Sequence, residues 1–123
     1  PVYIARSGVA DLARTINTAT MQDLLLAMEV AGQSPYIARA LEEARMKGIP
    51  TAAIVGASSL ASARSADIVL AAQAHPSLGV GIVSIEAVVY ALAQVLSWKY
   101  SDHFAGTEQA IAELSSRIQQ PLE

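Results

Sequence analysis

Apolar and polar positions along the 123-residue chain fall into short runs of two kinds. "PVYIA" (residues 1–5) is β-branched and aromatic, which predicts a strand. Val9, Leu12 and Ile16 then recur at helical spacing through "VADLARTIN". "DLLLAMEV" (residues 23–30) is apolar almost without alternation, as in a strand covered on both faces. A helix over residues 35–47 follows, with Ile37, Leu41 and Ala44 as its inner stripe. Arg39, Glu42, Glu43, Arg45 and Lys47 form its wet side. Ser34 stands at the N-cap position and Pro35 at the first helical position, where a missing N–H costs nothing. Lys47-Gly48 and then Pro50 end the helix. "TAAIVG" (51–56) and "DIVLAA" (67–72) predict two more strands, separated by "ASSLASARSA", which has room for a turn or two of helix. An apolar helix over residues 82–98 and a last helix over 107–119, capped by Thr107, complete the chain.

Strands alternating with helices predict an α/β fold. The expectation is a three-layer sandwich, with a mostly parallel sheet of about four strands and helices on both faces, as one domain over residues 1–123. Ligands of such sheets collect at the carboxyl ends of the strands. That places interest on Arg6-Ser7-Gly8, on residues 29–34, on residues 55–59 and on the loop from His75 to Gly81.

Composition narrows this picture. Hydrophobic residues make up 53% of the chain and charged residues 15%. Such an excess exceeds what a lone small domain needs and points to surface buried against another copy. The net charge of −3 lacks the basic surplus that phosphate backbones require, so direct nucleic-acid binding is not expected. With no cysteine, disulfides and thiolate metal sites are excluded, which suits a cytoplasmic protein. No basic start followed by a long apolar core marks a signal peptide. The apolar helix contains Ser84, Glu86, Gln94 and Ser97, and its uncharged run from Ala87 to Trp98 falls short of the ~18 residues a membrane span wants. Its apolar side chains surround the helix, from Ile82 and Val83 to Leu96 and Trp98, so it is either central to the domain or covered by a partner. A homodimer through the C-terminal helices is the expected arrangement. Pro1 in place of Met leads us to expect a longer parent chain.

Residues 23–70 resemble the sugar isomerase (SIS) domain. That family reads as an apolar strand, Ser-Tyr-Ser-Gly-Glu-Thr, a helix ending in Gly, a strand ending in Thr-Ser, and Ala-Asp-Ile-Val-Leu. The matching pieces here are "DLLLAMEVAGQS", "ARALEEARMKG", "TAAIVGASS" and "ADIVL". The resemblance is closest to the effector domain of RpiR-type bacterial transcription regulators, where it follows a helix-turn-helix and senses phosphorylated sugars. The family's opening strand-helix unit is not matched, "PVYIA" taking the place of its second strand. Glu29 and Ala31 stand where the family has its two serines, Ser34 at its Thr, and Val55 where a Thr closes the next strand.

The resemblance implies a sugar or sugar-phosphate effector domain that dimerises, does not catalyse, and reaches DNA only through a domain outside this chain. The candidate ligand-binding residues are Glu29, Gly32, Gln33, Ser34, Gly56, Ser58 and Ser59. A glycine lets backbone approach a ligand, and a helix start offers free N–H groups. Ser34 equally serves as a cap, and Ser58-Ser59 as a plain polar turn. Glu29 changes the chemistry: two like charges at ~4 Å, in an effective dielectric of about 20, repel by roughly 4 kcal/mol. It suits sugar hydroxyls or an amine better than a phosphate. His75 and His103 lack metal-ligand spacing, so neither a metal nor a cofactor is expected. The alternatives are a phosphosugar isomerase using Glu86 or His75 as base, and a scaffold that only dimerises, its site having decayed.

Overall fold

The computed structural model describes residues 2–5, 8–32, 34–73 and 78–121, with backbone alone for 78–80. Five helices and three strands follow one another: α1 (Val9–Thr18), β1 (Leu25–Glu29), α2 (Ile37–Met46), β2 (Thr51–Val55), α3 (Ala61–Ser65), β3 (Ile68–Ala71), α4 (Leu78–Lys99) and α5 (Ser101–Ile118). The chain forms two compact units, residues 1–89 and 90–123.

In the first unit the strands run parallel in the order β1-β2-β3. Leu25 is level with Thr51, and Ala52 with Ile68, so the three strands end together at Glu29, Val55 and Ala71. Leu25, Ala27, Thr51, Ala53 and Val55 share one face of this sheet by the two-residue period. Ile16 of α1, Ala40 and Ala44 of α2 and Ile49 pack with Leu25, while Ala63 of α3 joins Ala53 and Val55. Alanines line much of this layer, which lets the helices lie close to the strands. Ile54 is buried on the second face, in a row with Met28 and Leu70, which are exposed.

α2 ends as its sequence dictates. Gly48 takes φ +78°, its N–H bonds Arg45 O, and the Ile49 N–H reaches Ala44 O, the two closing bonds of a Schellman motif. The start differs from expectation. Tyr36, not Ser34, is the N-cap, and the Ser34 hydroxyl accepts the Tyr36 N–H at 3.4 Å, in the turn before the helix.

The strand expected over "PVYIA" is not seen at its described residues: 2–5 have no ladder, and Val2 is 92% exposed. Among the described residues the sheet therefore has three strands, where about four were expected. Strand propensity is realised only when a segment pairs with another, and residues 2–5 pair with neither open edge of the sheet, β1 or β3. α5 starts six residues earlier than expected, just after Tyr100 (φ −114°, ψ 33°), and Thr107 lies inside it, its hydroxyl donating to His103 O. No residue of α5 is buried.

Candidate functional site

Because the strands are parallel and end level, their carboxyl ends form one rim, and two turns meet on it. The first, described at residues 30–32 and 34–36, leads from β1 to α2; the second, residues 56–60, leads from β2 to α3. Backbone bonds tie the rim: Gly56 N–H donates to Glu29 O (2.9 Å), and Ala72 N–H to Val55 O (2.8 Å). Gly32 takes φ +73°, where a side chain is strained, and a Cβ there would meet Leu60 Cδ2 at 3.3 Å. Gly32 of the first turn thus lies beside Leu60 of the second.

Glu29 is the centre of this arrangement. It is 6% exposed at the last position of β1, and both described hydrogen bonds to its carboxylate are donated to it. Ser62 Oγ gives one to Oε2 at 2.5 Å, and the Ser34 backbone N–H gives a long one to Oε1 at 3.4 Å. Ser62 is itself buried, on α3. Among the described residues, no lysine or arginine forms an ion pair with Glu29. A buried carboxylate is tolerated only where donors replace its water, and here a serine hydroxyl and a turn amide do so.

Of the residues the sequence singled out, Glu29, Gly32, Ser34 and Gly56 come together on the rim. Ser58 and Ser59 lie exposed in the second turn, where Ser59 O accepts a bond from Arg64 at 2.6 Å. Gln33, Arg6, Ser7 and His75 lie outside the described residues. Gly8 is the N-cap of α1. Glu86 is exposed on α4, and His103 is exposed on α5, edge-on to Phe104. Ser62 escaped the sequence reading. Its signal was there: an acidic residue ending an apolar strand needs a donor, and the helix after the neighbouring strand is rich in serine.

The opposite, amino edge of the sheet carries a second polar cluster. Asp67 Oδ2 accepts the Thr51 N–H (3.0 Å) and hydroxyl (2.9 Å), Asp67 N–H bonds Thr51 Oγ1 (3.0 Å), and Arg45 Nε meets Oδ1 at 2.9 Å. These bonds from Thr51, with the Arg45 charge behind them, hold the Asp67 carboxyl below the ordinary carboxylate range. An open groove of about 720 Å³ runs beside it, past Arg39, Glu42, Arg45 and Met46. Its charges satisfy one another, Arg45 with Asp67 and Arg39 with Glu42 and Glu43. The groove is therefore a structural seam rather than the candidate site. Among the described residues, no cluster of His, Asp and Glu is arranged to hold a metal ion.

In α4, the stretch Gly81–Lys99 is long and apolar enough to cross a membrane by length and composition, with Glu86 inside it. Little of it is buried; Ile85 is, whereas Val83, Tyr90, Val95 and Trp98 are exposed.

No family model matches the chain, and no curated protein sequence matches it. Among solved structures, it is similar to the crystal structure of an RpiR transcription factor from Sphaerobacter thermophilus, in its sugar isomerase domain. The TM-score is 0.77 at 23% sequence identity, and the match covers 89% of this chain. The chain spans 62% of that structure's length. A parallel sheet, helices in this order and turns meeting over level strand ends thus give the chain the fold of a sugar isomerase domain.

Proposed function

We propose that this chain is the ligand-sensing domain of a cytoplasmic bacterial transcription regulator, binding a sugar derivative at the carboxyl rim without transforming it. The observation that carries the reading is the meeting of residues 30–36 and 56–60 over the ends of β1 and β2, with polar groups gathered at that edge. The RpiR transcription factor with the same fold supplies the regulatory context. Contact with DNA falls to another domain, consistent with a net charge of −3 here. Ligand binding shifts how two copies sit against each other, and so moves whatever each copy carries.

A non-catalytic role is supported by the state of the acids. Isomerisation needs an acid or base within hydrogen-bond reach of the sugar's reacting carbons. Glu29, at the rim, is committed to Ser62 and Ser34, while Glu86 lies on the exposed surface of α4. Calorimetric titration with a panel of sugars and sugar phosphates tests the reading. Saturable binding by at least one, with no aldose-ketose interconversion on prolonged incubation, supports it. Silence across the panel from a folded sample favours the scaffold that only dimerises, and turnover would make the domain an isomerase.

A further inference from the structure

We propose that Glu29 is a built-in anion: its carboxylate occupies the place at the turn before α2 that a ligand's phosphate would take, so the rim selects sugars without one. The inference rests on the rim being the ligand site.

The argument starts from general chemistry. A turn leading into a helix, at the carboxyl edge of a parallel sheet, collects anions because its N–H groups face outward and the helix start is electropositive. Here α2 begins just beyond such a turn, and Gly32 gives the turn its left-handed step. The groups that would greet an incoming phosphate are the Ser34 amide and the Ser62 hydroxyl. Both are already spent, on Oε1 and Oε2 of Glu29. Glu29 as a residue is only 6% exposed, and its two carboxylate oxygens are held by these donors, so it sits within the turn rather than above it.

Two physical effects then act against an external phosphate. Its oxygens find the two donors engaged, and its charge faces a carboxylate that no described lysine or arginine offsets. A sugar hydroxyl meets neither obstacle, since it can donate to the lone pairs Glu29 has left and approach Ser58 and Ser59 from the other turn. Specificity on this account comes from an internal competitor as much as from any contact to the ligand.

Replacing the competitor should open the cradle. Inorganic phosphate is titrated, by calorimetry at constant ionic strength, into the 123-residue chain and into Glu29→Ser and Glu29→Ala, with circular dichroism melts recording which samples are folded. Wild type is expected to show no saturable phosphate binding, and Glu29→Ser to gain it, at least about tenfold tighter than any wild-type signal. Adding Ser62→Ala to Glu29→Ser should remove that gain, because the freed hydroxyl is one of the two donors. Saturable binding of phosphate by wild type overturns the proposal. So does a folded Glu29→Ser or Glu29→Ala that binds phosphate no better than wild type, or a gain that Ser62→Ala leaves untouched. Failure of this inference stays separate from failure of the sensing reading: the first is decided by phosphate on the variants, the second by the sugar panel on wild type.

Discussion

At the scale of single residues, Asp67 and Gly32 make opposite demands on a substitution. Asp67 accepts two bonds from Thr51 and an ion pair from Arg45, and its carboxyl titrates below its usual 3.8. A carboxyl with a depressed folded-state pKa adds stability that is fully present above the unfolded value and is lost as pH falls through the folded one. The urea midpoint of wild type should therefore decline as pH drops below about 3.8. Asp67→Asn should lower the midpoint at neutral pH and flatten that acid limb; an equally steep limb in the variant counts against the account. Asp23 shares the window, since bonds from the Thr20 amide and hydroxyl lower it in the same direction, so a shallow residual slope belongs to it. Gly32 works through the backbone. With φ at +73° and Leu60 Cδ2 near the missing Cβ, Gly32→Ala should cost about 1–2 kcal/mol in equilibrium unfolding. Glycine's role at that position was legible from "AGQS", whereas the Asp67 latch was not: an aspartate heading the predicted strand "DIVLAA" shows nothing of its partners until the fold brings Thr51 and Arg45 to it.

At the scale of elements, what the chain's own pattern revealed depended on whether the signal was local. The C-terminus of α2 was legible because Lys47, Gly48 and Pro50 carry the stop in their own backbone chemistry. Its start was not, because Ser34-Pro35 fits an N-cap but the rim claims the Ser34 amide for Glu29, and the helix waits until Ile37. Residues 2–5 show the same limit from the other side: their composition suits a strand, but a strand is a property of two segments, and no described strand pairs with them. Glu29 stood out as the odd residue of the rim, while its donor Ser62, 33 positions away, was missed because only the fold brings the two together. Helix α2 also holds two of the fully buried side chains, Leu41 and Ala44. Leu41 is 0% exposed, and α2 contacts β1 and β2 on one side and α1 and α3 on others. Leu41→Ala should destabilise the first unit by about 2–5 kcal/mol, read from chemical denaturation. A loss under 1 kcal/mol would mean that the layer of alanines around it collapses into the gap.

For the whole molecule, the distribution of apolar surface is the leading fact. The chain is 53% hydrophobic, yet Trp98 is 84% exposed, and Tyr90, Val95 and Leu96 of α4 and Phe104, Ile111, Leu114 and Ile118 of α5 are exposed as well. The α5 residues recur at intervals of seven, three and four, the spacing of a single helical stripe. Exposed large apolar side chains in this number mark a surface that another body covers. A second copy is the occupant we propose: the same apolar patch on two copies makes an isologous interface without any further partner, and stable interfaces of this kind bury about 1,200–2,000 Å². A lipid is the less suitable cover, because Glu86 interrupts the apolar stretch of α4 and a carboxylate inside a bilayer is expensive. Sedimentation equilibrium should give a dimer for wild type. Val95→Asp combined with Trp98→Asp places carboxylates where partner side chains would press. Each desolvated charge costs several kcal/mol when it finds no partner, and 1.4 kcal/mol is a factor of ten. The dissociation constant should rise at least about a hundredfold, while the far-ultraviolet spectrum and the urea midpoint of the first unit hold, since neither residue belongs to its core. A wild-type chain that sediments as a monomer at every concentration, or a double variant that dimerises as well as wild type, would move the interface away from α4.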